Sequence, residues 1–113
     1  MKRGAIVLTP FPFTDLSGRK VRPALVVSRS DRPGSDVVLA FISSYRGQPL
    51  LATDLFVENT HPDFGRTGLK ATSVIKRDKL VTVDTSILLG ELGELPFVLL
   101  READTRLRYA LDV

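Results

Sequence analysis

The sequence predicts a mainly β domain: a small, partly open β-barrel closed by a C-terminal α-helix. Three observations carry this expectation. Five or so short β-rich runs follow one another, separated by turns containing Pro, Gly, Asp and Ser. The apolar spacing changes to a helical period only after Pro96. No repeat, low-complexity stretch or linker interrupts the 113 residues, so residues 1–113 read as one domain.

Each element has a local reason. Arg3–Thr9 is β-rich and stops at Pro10. The following residues, with Pro10, Pro12, Asp15, Ser17 and Gly18 close together, read as a loop or long hairpin connection ending at Lys20. Val21–Ser28 is a second strand, and Pro23, which lacks a backbone donor, places that end at a strand start or edge. Asp31–Ser35 is a turn. Asp36–Ser44 is a third strand, apolar enough to be buried on both faces. Leu55–Val57 is a fourth, and Asn59–Gly68 is a polar loop holding the single histidine, His61. Thr72–Val83 nearly alternates, with Lys76-Arg77-Asp78 as a polar interruption, which predicts a strand that bends or bulges midway. Lys76, Arg77 and Lys79 are most simply expected to lie on an exposed turn or bulge, with RNA or dimer contact as the minority reading. Beyond Pro96, Leu100, Ala103, Leu107, Ala110 and Leu111 form one stripe while Arg101, Glu102, Asp104, Arg106 and Arg108 take the other face, the pattern of an amphipathic helix.

Composition removes whole classes of chemistry. There is no cysteine, hence no disulfide, no thiol nucleophile and no cysteine-ligated metal. One histidine excludes a two-histidine acid–base pair within one subunit, and a zinc site would need carboxylates almost throughout. No cofactor and no metal are expected. The N-terminus lacks the pattern of a signal peptide, and no segment has the length of a membrane span, so the expected location is the cytoplasm. The net charge of +3 is unevenly spread. Residues 1–50 hold eight basic and three acidic groups, a net of +5, whereas residues 51–113 hold eight basic and ten acidic groups, a net of −2. The first half is the part expected to face an anion.

Several short words occur in one order. They are Arg3-Gly4-Ala5-Ile6, the loop Pro10–Lys20, Arg22-Pro23-Ala24-Leu25-Val26-Val27-Ser28, Ile42-Ser43-Ser44, Gly68-Leu69, Ser73-Val74-Ile75, Leu80-Val81-Thr82-Val83 and Leu89-Gly90-Glu91-Leu92. In that order and spacing, across essentially the whole chain, the sequence resembles the MazF/PemK family of toxin–antitoxin endoribonucleases. The resemblance implies an SH3-like barrel with a C-terminal helix, and a homodimer. It also implies metal-independent, sequence-specific cleavage of single-stranded RNA, blocked by an antitoxin with an acidic tail. The family places catalysis on an Arg at the position of Arg22 and a Thr at that of Ser43; here the hydroxyl is kept and the methyl is lost. Two departures stand out: Ala5 where an acidic residue is frequent, and Leu16-Ser17-Gly18-Arg19-Lys20 where the family has a Gly-Ser-Glu-Gln-like stretch. The missing glutamate leaves the general base unassigned.

The residue chemistry agrees with that expectation. Attack of a ribose 2′-hydroxyl on the neighbouring phosphorus needs a proton acceptor, a proton donor and positive charge on the phosphoryl oxygens. The planar guanidinium of Arg22 suits the last role, offering two parallel donors to phosphate oxygens at any working pH. Ser43 is a candidate to hydrogen-bond the same phosphate or relay a proton, and on a regular strand Ser44 faces the other way. Phe11, Thr14, Asp15, Arg19, Lys20, Ser44 and Arg46 are the expected RNA-binding residues; Phe11, Phe13 and Tyr45 are candidates to stack unpaired bases, although for Phe11 and Phe13 a core or dimer contact is the commoner role of such residues. Asp15 is also a turn former. Two other classes stay open at this point: a non-enzymatic toxin of the same barrel that binds DNA gyrase through the end of its helix, and a degenerate barrel that binds RNA or protein without turnover.

Overall fold

A computed structural model describes residues 1–11 and 20–113, with Phe11 described through its backbone only. Six antiparallel strands form one curved half-barrel sheet: β1 (Ala5–Phe11), β2 (Lys20–Val26), β3 (Asp36–Ser44), β4 (Asp54–Val57), β5 (Ser73–Asp84) and β6 (Gly90–Glu94). Their order across the sheet is β4-β5-β3-β2-β1-β6. Helix α1 (Phe97–Leu111) closes one face, and short 3-10 turns occupy Phe64–Thr67 and Thr85–Ile87.

The pleat sorts apolar residues into two cores, because successive strand residues point to opposite faces. Ile6, Leu25, Ala40, Ile42, Leu55, Val57 and Ile75 pack with Leu95, Leu99 and Ala103 beneath α1. Ala5, Val7, Ala24, Val26, Val37, Leu39 and Val83 form the core on the other face. The apolar run of β3 supplies both, as its sequence predicts.

One strand was not anticipated, and two expectations need revision. Gly90–Glu94 is a strand although it reads Gly-Glu-Leu-Gly-Glu; it is an edge strand held to β1 through the pairs Ala5↔Glu94, Ile6↔Gly93, Val7↔Glu91 and Leu8↔Gly90. Glycine and glutamate have low β-propensity, and only the partner strand makes this segment extended. Gly93 is needed there, since a Cβ would overlap the Arg66 carbonyl and the backbone of Thr67 in the adjacent 3-10 turn. The helix stripe is rotated from its expected centre: Leu99 and Ala103 are buried, whereas Leu111 lies exposed near the C-terminal cap. Pro96 stands at the N-cap, just before the first helical turn. Finally, Arg77 is not on the surface.

The break in β5 is a bulge, as expected, and a large one. Pairing with β3 steps from Ala40↔Leu80 to Phe41↔Lys76, so Arg77, Asp78 and Lys79 fall outside the ladder. Asp78 and Lys79 are exposed, but Arg77 is turned inward and wholly buried. Its burial holds the guanidinium pKa down to about 10, partly offset by the attraction of Asp104 on α1. Asp104 itself makes a two-pronged pair with Arg3, two residues before β1. None of the three Arg77 guanidinium nitrogens has a hydrogen-bond partner among the described residues.

Candidate active site

The site arises where two ladders part. Strands β2 and β3 pair through Val26↔Leu39, Leu25↔Ala40 and Ala24↔Phe41. Beyond that last pair, β2 stays with β1 through Leu8↔Pro23, Thr9↔Arg22, Pro10↔Val21 and Phe11↔Lys20. β3 stays with β5 instead, through Ile42↔Ile75, Ser43↔Val74 and Ser44↔Ser73. A cleft opens between the diverging strands. Pro23 marks the divergence: β2 is an internal strand, yet its donorless residue lies past the end of the β3 ladder, where no hydrogen bond to that strand is asked of it.

Arg22 and Ser43 face each other across this cleft. Extending the β2–β3 register by two residues sets them opposite one another, on the same sheet face. Both line a cavity of about 270 Å³ together with Phe41, Ile42, Lys76 and Lys79. Both also line an adjoining cavity of about 440 Å³. Leu8, Val21, Pro23, Leu69 and Leu92 give the second cavity an apolar wall, and Ser44, Lys70 and Ser73 add polar groups. Arg22 is half-buried with its Nε shielded from solvent, and its cross-strand neighbour Thr9 is wholly buried. A half-buried guanidinium already in place costs little reorganisation when an anion arrives.

The cation set extends beyond Arg22. Lys76 Nζ lies 3.2 Å from Oδ2 of Asp54, a buried carboxylate that also accepts the Leu51 N–H at 2.9 Å. Lys79 is exposed and makes no ion pair with any described residue. No described carboxylate lines either cavity. The smaller cavity therefore has three cationic side chains and a hydroxyl on its walls, which suits a phosphate. The larger offers apolar surface with polar groups at intervals, which suits the face and edges of an unpaired base.

The other residues singled out by sequence distribute unevenly. Ser44 lines the larger cavity. Lys20 and Arg46 are exposed and line neither cavity, and the Arg46 N–H donates to Gln48 Oε1 at 2.6 Å. Tyr45 packs edge-on against Phe56, with ring centroids 4.7 Å apart. Phe13, Thr14, Asp15 and Arg19 lie outside the described residues, as does the side chain of Phe11. His61 takes part in the turn before the first 3-10 segment, its Nδ1 accepting the Asp63 N–H at 3.1 Å. Sequence reasoning weighed Lys76 and Lys79 as an RNA or dimer contact only as a minority reading, and it missed Lys70 as a lining residue. The available signal was the polar interruption in β5, because bulges re-aim side chains beside active sites. Among the described residues no three His, Asp or Glu side chains converge as a metal site would require.

The chain matches, over residues 2–111, the family described as PemK-like, MazF-like toxin of type II toxin-antitoxin system. It belongs to that family. Solved structures with the same fold cover nearly all of it. An endoribonuclease bound to its cognate antitoxin, from a mycobacterial species, superposes with a TM-score of 0.76 at 22% identity, covering 100% of this chain and 96% of that one. The Mycobacterium tuberculosis toxin MazF-mt6 gives 0.71 at 25% identity, over 96% of this chain and 97% of that one. MazF from Deinococcus radiodurans gives 0.72 at 21% identity, over 100% and 97%. No curated protein matches this chain in sequence. No helix among the described residues is long and apolar enough to cross a membrane.

Proposed function

We propose that this toxin is an endoribonuclease that cuts single-stranded RNA at a short sequence, without a metal, by attack of a ribose 2′-hydroxyl on the adjacent phosphorus. The observation that carries the reading is the placement of Arg22 and Ser43 on facing walls of one cleft, lining both a cationic and an apolar cavity. In the reaction the 2′-oxygen forms a new bond to phosphorus and loses its proton. The bond to the 5′-oxygen breaks, and that oxygen takes up a proton. The products are a 2′,3′-cyclic phosphate and a 5′-hydroxyl end. Arg22 donates two hydrogen bonds to the non-bridging oxygens as their charge grows, and its proton-donor capacity serves the leaving oxygen. Ser43 hydrogen-bonds the same phosphate. The Arg22 guanidinium is already protonated at any working pH and has no site for the 2′-proton, so that role stays with no assigned residue.

The wider reading follows the family. Two copies form the active toxin, and an antitoxin with an acidic tail neutralises it by occupying the cleft in place of the RNA strand. The site of action is the cytoplasm. The net charge of +5 over residues 1–50, which include Arg22 and Ser43, favours either anionic partner.

Purified protein incubated with a sequence-diverse single-stranded RNA in excess EDTA tests this. Wild type is expected to cleave and leave 5′-hydroxyl ends. Arg22→Ala is expected to lose about 10²–10³-fold in rate or more, the cost of removing a main charge-stabilising donor. Ser43→Ala falls by a smaller factor, while Ser43→Thr keeps the hydroxyl and the activity. An inert wild type sinks the reading, and equal cleavage by wild type and Arg22→Ala sinks the assigned site.

A further inference from the structure

The loop of three residues that β5 extrudes opposite β3 is more than a packing defect. One step along β3, from Ala40 to Phe41, corresponds to four along β5, from Leu80 to Lys76. Arg77 is the inward anchor of that loop, wholly buried and drawn toward Asp104 of α1. With one residue pinned inside, the outer two have a fixed exit from the sheet. Asp78 is exposed and lines neither cavity. Lys79 is exposed and does line the smaller cavity, beside Arg22 and Ser43. The other lysine of that wall, Lys76, has its charge taken up by buried Asp54. Among the described residues, Lys79 is thus the cation on this wall whose charge is not already neutralised.

We propose that Lys79 holds a second backbone phosphate of the RNA strand, adjacent to the one at Arg22, and that the β5 bulge positions it to do so. The proposal rests on the nuclease reading of the cleft and adds to it where the strand leaves the reacting phosphate. A polyanion with regularly spaced charges fits better than a lone phosphate, since the cations line a wall of the cleft rather than one point. Binding through Lys79 is electrostatic and independent of base sequence, so its loss is felt in affinity and in the dependence on salt.

The test uses a single-stranded 2′-O-methyl oligoribonucleotide of mixed sequence, which binds like RNA but lacks the hydroxyl that attacks. Its affinity is measured by fluorescence anisotropy over a salt series for wild type, Lys79→Gln, Lys79→Arg and Lys2→Gln. Lys2 serves as the control because it lines neither cavity and pairs with Glu94 instead. One phosphate contact on a single strand contributes about 0.7 to the slope of log affinity against log salt, or about fivefold in affinity at about 0.1 M salt relative to about 1 M. Lys79→Gln is expected to lose that slope increment and about that factor, while Lys79→Arg and Lys2→Gln keep both. Wild-type affinity and slope in Lys79→Gln overturn the proposal, as does an equal loss in Lys2→Gln. If wild type shows the Lys79 dependence yet cleaves no RNA, the nuclease reading fails and the phosphate site stands. If wild type binds no oligonucleotide, both fall.

Discussion

Replacing Arg77 by methionine is expected to stabilise this protein. Arg77 is wholly buried, and its three guanidinium nitrogens have no hydrogen-bond partner among the described residues. Its pKa is held well below the ordinary arginine value, at about 10, with desolvation the largest cause. At about 1.4 kcal/mol per pH unit, that displacement corresponds to about 3 kcal/mol against the charged form, with the attraction of Asp104 already included. Methionine keeps an unbranched apolar stem in the same space, while the volume vacated by the guanidinium leaves a small cavity costing about 1 kcal/mol. Asp104 is not orphaned, because Arg3 still grips both its oxygens. The net expectation is a gain of about 1–2 kcal/mol, or about 4–8 °C in Tm for a chain of this size, in line with other buried charges replaced by apolar groups. Urea unfolding followed by circular dichroism measures it. The pH dependence is a second check. The folded pKa lies below the unfolded one, so the unfolded chain binds more protons between the two, and wild-type stability rises with pH through that window. The gap between variant and wild type therefore stays level at neutral pH and narrows above about pH 10. A methionine variant less stable than wild type by 1 kcal/mol or more would refute the reasoning.

Two further outcomes probe the β6 edge. Gly93→Ala is expected to cost about 1–3 kcal/mol in a urea titration, because the added methyl meets the backbone of Arg66 and Thr67 rather than a movable side chain, whereas Gly90→Ala, which opens onto free space, costs far less; equal losses would remove the close approach as the cause. Glu94 accepts from Lys2 at 2.9 Å and Arg66 at 2.8 Å, and those bonds, Lys2 first, hold its carboxyl below the usual range. The stabilisation is therefore present above the ordinary carboxylate range and lost as pH falls through the lowered value, so wild type and Glu94→Gln are expected to differ at neutral pH and converge once the pH lies below that lowered value; a difference undiminished on acidification would contradict it.

Much of the fold was legible because it is written in local periodicity. The continuous apolar run of Asp36–Ser44 specified a strand buried on both faces, and the residues of β3 do divide between the two cores. The polar interruption at Lys76-Arg77-Asp78 specified the bulge, and the spacing after Pro96 specified α1. The two residues proposed for chemistry, Arg22 and Ser43, came from ordered motifs, and the fold sets them in one cleft.

What the sequence did not disclose depends on partners distant along the chain. Gly90–Glu94 is extended because β1 offers an edge, not because glycine and glutamate favour strands. Lys76-Arg77-Asp78-Lys79 looks uniformly exposed, yet Arg77 is buried, where Asp104 of α1 favours its charge and Arg3 opposes it. The cleft itself is a tertiary fact. It exists because β2 follows β1 while β3 follows β5 past Ala24↔Phe41, and no spacing within either strand records where two ladders separate. Local pattern determines which segments are strands and helix, since steric preference and burial act within a few residues. Register between strands is set by packing the whole sheet at once, so only the folded chain decides which side chains share a cavity.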